Sequence, residues 1–379
     1  MLTVMKKELL INRKRLVSTF IDLIKINSPS FEEDLLGRRL EELFTRLNFR
    51  ITRQRYGRSF NIIARKKGSL KNSRSLLLSG HMDTIEPTEK IRYAVKSGVI
   101  RSTGNTVLGA DDKSAIAQIL EAVTVLQEQS IPHGDIEVVI TSAEEKGLCG
   151  AKNLDYRKIK SRHALVLDSG GPVGRIVVAA PTHVTYEMRV IGKSAHAGIE
   201  PEKGINAIRV ASEIIAAVPD GRIDAVTTAN IGMITGGTAT NVVPREVVIN
   251  GEVRSHAPAT LRSVKKDIFD KAKYIARKRD ARVHIQAQEE YQAFRIRERE
   301  PFLAYMDQVF VRAGMKAEHT VTGGGSDANI FNRHGIITLN LSTGMQKVHS
   351  HDEFICIDDL INGSLVVATA VRDFADFRG

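Results

Sequence analysis

Four short stretches of this sequence set imidazole or carboxylate groups where apolar runs stop, and groups so placed can hold metal ions. His81 and Asp83 follow the apolar residues 75–79. Residues two apart on an extended chain point to the same side, so His81 can ligate while Asp83 accepts from the other ring nitrogen and fixes the tautomer. Asp111 and Asp112 stand in Leu108-Gly-Ala-Asp-Asp-Lys-Ser-Ala115, where an apolar helical period begins. Glu144 and Glu145 come just after the apolar run 136–141, and Asp168 ends the run 164–167, directly before Ser169-Gly-Gly171. Each also has an ordinary explanation: a loop His beside an Asp, an N-cap with a first-turn acid, a solvated pair of glutamates. Their convergence favours the metal reading, because side-by-side carboxylates repel unless cations or solvent surround them. The chemistry would be hydrolysis, one glutamate binding an ion and the other taking a proton from the water that the ion activates.

The elements that must position these groups follow from periodicity. A helical start is followed by a second helical stretch at 32–47, a short strand at 75–79, a helix at 113–127 and strands at 136–141 and 164–167. Farther on, 302–313 reads as helix, 336–341 as a buried strand and 358–377 as a closing helix. Strand and helix in alternation predict an α/β domain with a mostly parallel sheet, whose ligands bind at the carboxyl ends of the strands. An insertion interrupts it: strand 182–193, helix 204–218, strands 225–234 and 245–254, helix 259–279 and strand 282–288. The order β-α-β-β-α-β is the ferredoxin-like α+β unit. The Gly- and Pro-bearing residues 170–181 and the charged residues 291–297 are the expected hinges. The domains are accordingly 1–180 with 293–379, and 181–292.

With 42% hydrophobic and 26% charged residues the chain has the composition of an ordinary globular protein, which excludes wholesale disorder. Its 55 basic against 44 acidic residues leave a formal charge of +11. The basic residues of 265–282 have helical spacing, however, and read as a solvated helix face instead of a nucleic-acid surface. Two cysteines, Cys149 and Cys356, make no disulfide framework, and a cytoplasmic location is expected. The apolar stretch 16–26 is interrupted by Asp22 and Lys25 and reads as part of an amphipathic first helix, not a signal peptide. No apolar run of about 18 residues predicts a membrane span.

Seven segments resemble, in order, the motifs of the dinuclear zinc amidohydrolases, the family of peptidase T, glutamate carboxypeptidase, aminoacylase and succinyl-diaminopimelate desuccinylase. They are Gly80-His-Met-Asp-Thr84, Gly109-Ala-Asp-Asp-Lys113, Ser142-Ala-Glu-Glu-Lys146, Lys193-Ser-Ala-His-Ala-Gly198, Thr240-Asn-Val-Val-Pro244, Val253-Arg-Ser255 and His349-Ser-His-Asp-Glu353. The resemblance covers nearly the whole chain and is nearest to peptidase T and its peptidase T-like relatives. A segment Gly323-Gly-Gly-Ser-Asp327 is similar to the family's Gly-Gly-Thr-Asp but departs from it at the serine and the third glycine.

What the resemblance implies is specific. One metal would sit on His81 and Asp168, the other on Glu145 and His349, with Asp111 bridging, Glu144 as general base and Asp83 orienting His81. The family spacing of His and Glu selects His349 with Glu353, and His351 is the alternative imidazole. The Asp111–Asp112 peptide would be cis. The inserted domain would be a lid and dimerisation domain, from which His196 donates to the oxyanion, Asn241 binds the substrate backbone and Arg254 its carboxylate. Two copies would join through these domains, His196 and Asn241 reaching the partner's site. Two divalent ions are balanced by three carboxylates and a hydroxide, and nitrogen and oxygen donors favour zinc while leaving cobalt and manganese open. The implied activity is hydrolysis of an amide bond in a short peptide, as an aminopeptidase. The alternative substrate is an N-acyl amino acid, and the reading from another class is a non-catalytic peptide- or nucleic-acid-binding protein on the same scaffold.

Overall fold

Four short apolar runs become the parallel centre of a sheet. In the computed structural model, which describes residues 9–71 and 73–379, the chain divides into two compact units. One comprises Met1–Val178, Arg295–Val321 and Ser326–Gly379, and the other Ala179–Phe294 and Thr322–Gly325. The expectation of a helical start is met at Arg13–Ile24, and its part on residues 1–8 lies outside the described residues.

The first unit holds a nine-stranded sheet in the order Arg50–Tyr56, Ser59–Lys66, Ile136–Thr141, Leu76–His81, His163–Ser169, Ile337–Ser342, Arg175–Ala180, Phe294–Arg295, with Glu318–Val321 beside Arg175–Ala180. The middle four strands are parallel, and the strands beside them are antiparallel. Leu76–His81 and Ile136–Thr141 are buried along their whole length, which is why they read as apolar runs with no alternation. Helix Ala110–Glu128 is buried on nearly every side, packed against helices Ile357–Phe374 and Arg13–Ile24 and the strand Leu76–His81. Its amino end therefore comes to the carboxyl ends of the parallel strands.

A second, four-stranded sheet brings in the last motif. Its order is Met345–Gln346, Phe354–Cys356, Val99–Ser102, Tyr93–Lys96. Because Phe354 pairs with Arg101 and Ile355 with Ile100, the loop carrying His349 and Glu353 lies beside the segment leading to Asp111.

The second unit is a five-stranded antiparallel sheet in the order Gly221–Asp224, Thr227–Gly236, Glu246–Ser255, Thr182–Ile191, Arg282–Tyr291. Alternating burial along Thr182–Ile191 puts Val184, Tyr186, Met188 and Val190 into a core shared with Ile214 and Ile268 of helices Ala207–Ala217 and Pro258–Lys278. The ferredoxin-like expectation is met, with the short strand Gly221–Asp224 added at the edge.

Residues 170–181 are not a plain hinge, since they include the strand Arg175–Ala180. The glycines and Pro181 around it hid an apolar Ile-Val-Val-Ala-Ala that pairs in the sheet. Residues 291–297 likewise contain the strand Phe294–Arg295. Among the described residues no helix is long and apolar enough to cross a membrane.

At the amino ends of the parallel strands His163 is buried against the rings of Phe302, Phe374 and Phe377. Burial, with help from Arg74, pushes its pKa down from 6.5 to about 4. The folded state favours the neutral ring, so the unfolded chain takes up the proton first. The contribution of His163 to stability is thus intact above pH 6.5 and is lost as the pH falls through 4. The drop in unfolding midpoint over that window, followed by urea denaturation, is expected to be shallower in His163→Leu than in the parent chain.

Candidate metal centre

Three parallel strands end side by side. Gly80 pairs with Ile140 and His81 with Thr141, while Ser79 pairs with Val166. The residues just past these ends, Asp83, Glu144, Glu145 and Asp168, must then share one rim, and the kinked start of helix Ala110–Glu128 adds Asp111.

Asp111 is the hub. Its Oδ1 lies 3.1 Å from His81 Nε2 and its Oδ2 3.3 Å from His349 Nε2. Asp168 Oδ1 is 3.9 Å from His81 Nε2 on one side, and Glu145 Oε1 is 2.9 Å from His349 Nε2 on the other. Among the described residues three groups could hold a cation, the ligand atoms of each all within 4.8 Å of one another: His81, Asp111 and Asp168; Asp111, Glu145 and His349; and His81, Glu144 and Glu145. His349 belongs to this set; His351 is exposed and belongs to none of the three.

The electrostatics ask for positive charge. Burial, then Asp168, pushes Glu144 well above the ordinary carboxylate range, and burial and Asp111 do the same to Asp168. For Asp111 burial works the same way, but hydrogen bonds from His349 and His81 outweigh it and hold the carboxyl low. His349 is pushed up to about 10 by its bonds to Asp111 and Glu145. Protonated imidazoles thus satisfy in part what cations would satisfy fully. An all-nitrogen-and-oxygen donor set with excess negative charge fits two divalent ions.

Supporting contacts fix the rim. His81 Nδ1 is 2.8 Å from the backbone oxygen of Asp83 and 3.4 Å from its Oδ1, so the nearer partner is the carbonyl, not the carboxylate expected from sequence. The Asp83 carboxylate accepts instead from the N–H groups of Glu144 (2.9 Å) and Glu145 (3.2 Å) and from Ser30 Oγ (2.7 Å). Asp112 Oδ2 accepts from the His81 N–H at 3.1 Å. Gly80 permits this approach, since a Cβ there would lie 2.6 Å from that oxygen. The Asp111–Asp112 peptide is cis.

Sequence reasoning missed three of the groups around the centre. Glu353, read only as a spacing marker, accepts from the N–H groups of Leu108 (2.6 Å), Gly109 (2.8 Å) and Asp111 (3.0 Å), and burial pushes it up to about 7. Lys113 is fully buried, donates to the Ile26 carbonyl at 2.7 Å and is pushed down to about 7 by that burial. Asp327 accepts from Thr141 Oγ1 at 2.5 Å. The available signals were a lysine inside an apolar helical period, the segment Gly323–Asp327 and the spacing of Glu353 from His349.

The remaining candidates lie in the second unit. His196 and Asn241 are exposed neighbours, joined by the Ala197 N–H to Asn241 carbonyl bond at 2.9 Å and a bridge between His196 and Val242. Arg254 forks onto Glu252, Nε to Oε1 at 2.9 Å and Nη2 to Oε2 at 3.1 Å. The planar face expected to read a substrate carboxylate is engaged by that glutamate.

Comparison with known proteins agrees with this geometry. Residues 178–280 match the peptidase dimerisation domain and residues 61–216 match peptidase family M28. The uncharacterized protein YqjE of Bacillus subtilis (strain 168) is 37% identical over 371 residues, spanning 97% of this chain and 100% of that one. Among solved structures, aminopeptidase PepT from Bacillus cereus ATCC 10987 is 35% identical with a TM-score of 0.87, over 96% of this chain and 99% of that one. A tripeptidase from Staphylococcus aureus subsp. aureus Mu50 is 34% identical with a TM-score of 0.91, over 97% and 99%. On these full-length likenesses the chain belongs to the M20 family of dinuclear-metal-dependent peptidases, among its peptidase T-like members.

Proposed function

We propose that this metallopeptidase is an aminopeptidase of short peptides, with two divalent ions held by His81, Asp111, Glu145, Asp168 and His349. The single carboxylate of Asp111 facing two imidazoles, one through each oxygen, carries the reading. His81 and Asp168 would complete one ion's shell, and Glu145 and His349 the other's. The donor types favour zinc over cobalt or manganese. When bound, the ions supply Lewis acidity for the scissile carbonyl and make water a nucleophile at neutral pH.

The chain's own groups do the rest. Glu144 takes the proton of the attacking water and returns it to the leaving amine; burial and Asp168 raise its hold on that proton. Asp83 steadies both His81 and the backbone of Glu144. From the lid and dimerisation domain, residues 181–292, His196 donates to the tetrahedral oxyanion, Asn241 binds the substrate backbone, and Arg254 exchanges its fork on Glu252 for the substrate carboxylate.

Two copies are proposed to join through this domain. The match to a dimerisation domain supports it, and so does an open strand edge. Gly221–Asp224 pairs only with residues 227–229 of the strand Thr227–Gly236, leaving its far end laddered on one side, with Met233 64% and Ile234 53% exposed. Two cysteines that form no disulfide support a cytoplasmic location.

Free-amine tripeptides are expected to be cleaved and their N-acetylated forms left intact; cleavage of the acetylated compounds alone would replace the aminopeptidase with the N-acyl amino acid hydrolase. Glu144→Gln should retain two ions per chain by elemental analysis while kcat falls at least ~100-fold, and full activity in that variant would remove the base assignment. Charging the open edge with Met233→Lys and Ile234→Lys together should shift the sedimenting species from dimer to monomer.

A further inference from the structure

Four consecutive backbone N–H groups in the loop that carries Glu144 and Glu145 end on side chains from three other parts of the chain. The Ser142 N–H donates to Asn61 Oδ1 (3.3 Å), Ala143 to Glu33 Oε1 (2.9 Å), Glu144 to Asp83 Oδ1 (2.9 Å) and Glu145 to Asp83 Oδ2 (3.2 Å). The carbonyls are taken as well, since Cys149 N–H donates to Ala143 O and Leu148 N–H to Glu144 O. Asp83 is already part of the metal-site reading. Glu33 and Asn61 are not.

Glu33 is 1% exposed and Asn61 is wholly buried. A carboxylate is costly to bury unless its acceptors are used, and here they are. Oε1 also accepts from the Phe31 N–H at 2.9 Å, and Oε2 from Ser59 Oγ at 3.2 Å. Ser59 Oγ in turn lies 2.9 Å from Ser142 Oγ, so Glu33 grips the loop at two successive residues, once directly and once through a hydroxyl. The position of Glu33 invites a simpler role, as it directly precedes helix Asp34–Arg46. Its side chain makes no capping bond to that helix, however, and reaches 110 residues along the chain instead.

The loop needs such support. Ala143 has φ +48°, the left-handed region that residues with a Cβ rarely occupy, and no strand or helix holds residues 142–145. A conformation of that kind persists only where surrounding contacts impose it. The direction in which Glu144 leaves the backbone follows from the torsions of Ala143.

We propose that Glu33, assisted by Asn61, is a positioning residue for hydrolysis: it locks the Ser142–Ala143 peptide, and with it the torsions of Ala143, so that the general base faces the attacking water. This rests on the reading of Glu144 given above. Because the grip uses oxygen acceptors and not charge, glutamine can replace Glu33, accepting from Phe31 and Ala143 through its amide oxygen.

The test uses the full metal-loaded chain and a tripeptide. Glu33→Ala should lower kcat ~10- to 100-fold while KM stays within about twofold and both ions are retained, the scale of a small misplacement at a reacting centre. Glu33→Gln should recover to within about threefold of the parent, and Asn61→Leu, should Glu33→Ala fail to fold, should show the same split between kcat and KM. Hydrogen exchange supplies a readout independent of turnover: amides 142–145 should exchange faster in Glu33→Ala, with those of the parallel strands unchanged. Parent-like kcat and protection in Glu33→Ala, or a Glu33→Gln as impaired as the alanine variant, would overturn the proposal. Should the parent chain cleave no peptide, the peptidase reading falls by itself and hydrogen exchange alone decides the grip on the loop.

Discussion

Carboxylates crowded into a dry place cannot all keep their charge, and the first unit of this protein gathers Asp83, Asp111, Asp112, Glu144, Glu145, Asp168, Asp327 and Glu353 at the end of one sheet. Five of them are among the buried residues of the chain. The cationic side chains identified among them are His81, Lys113 and His349. Burial therefore pushes Glu144, Asp168 and Asp112 upward, toward their neutral forms. Two divalent ions resolve that conflict at once, which is why the arrangement is intelligible as a metal centre and is otherwise a liability.

The same constraint explains how the rim is built. A buried acid that does not face a cation has to spend its oxygens on donors, and the donors nearest to hand are backbone N–H groups of irregular segments. Glu353 takes three of them before and at Asp111. Asp83 takes two at Glu144 and Glu145, and Glu33 takes the one before. Each acid satisfies itself and, in doing so, fixes a loop that no ladder of strand or helix bonds could fix. The backbone bonds that solvate these acids thus also hold the loops around the centre.

What was legible in the sequence follows the range of the forces involved. The parallel strands and the residues at their ends could be read because burial on both faces leaves an apolar run, and a carboxylate just after it is conspicuous. The inserted domain could be read because Thr182–Ile191 alternates strictly. The hairpin Arg50–Tyr56 and Ser59–Lys66 was not read as strands, being rich in basic residues. Its Arg53 lies over the Phe60 ring and pairs with Glu41 and Asp34, so its charge belongs to a packed face that composition presents as a patch. Glu33 and Asn61 were assigned no role from sequence, and Glu353 no more than a spacing, because the loop N–H groups that they hold stand 110, 81 and 242 to 245 residues away.

Adjacent glutamates with different surroundings illustrate how little machinery this takes. Glu145 meets His349 at 2.9 Å in the ligand cluster, whereas Glu144 is buried beside Asp168 and forms no part of the cluster around His349. The backbone at both is held by one residue: one oxygen of Asp83 takes the N–H of the first and the other takes the N–H of the second. Since the backbone carbonyl of Asp83 also holds His81, one residue contacts an imidazole of the cluster and the backbone of both glutamates. The different surroundings of Glu144 and Glu145 therefore rest on a loop whose backbone Asp83 holds.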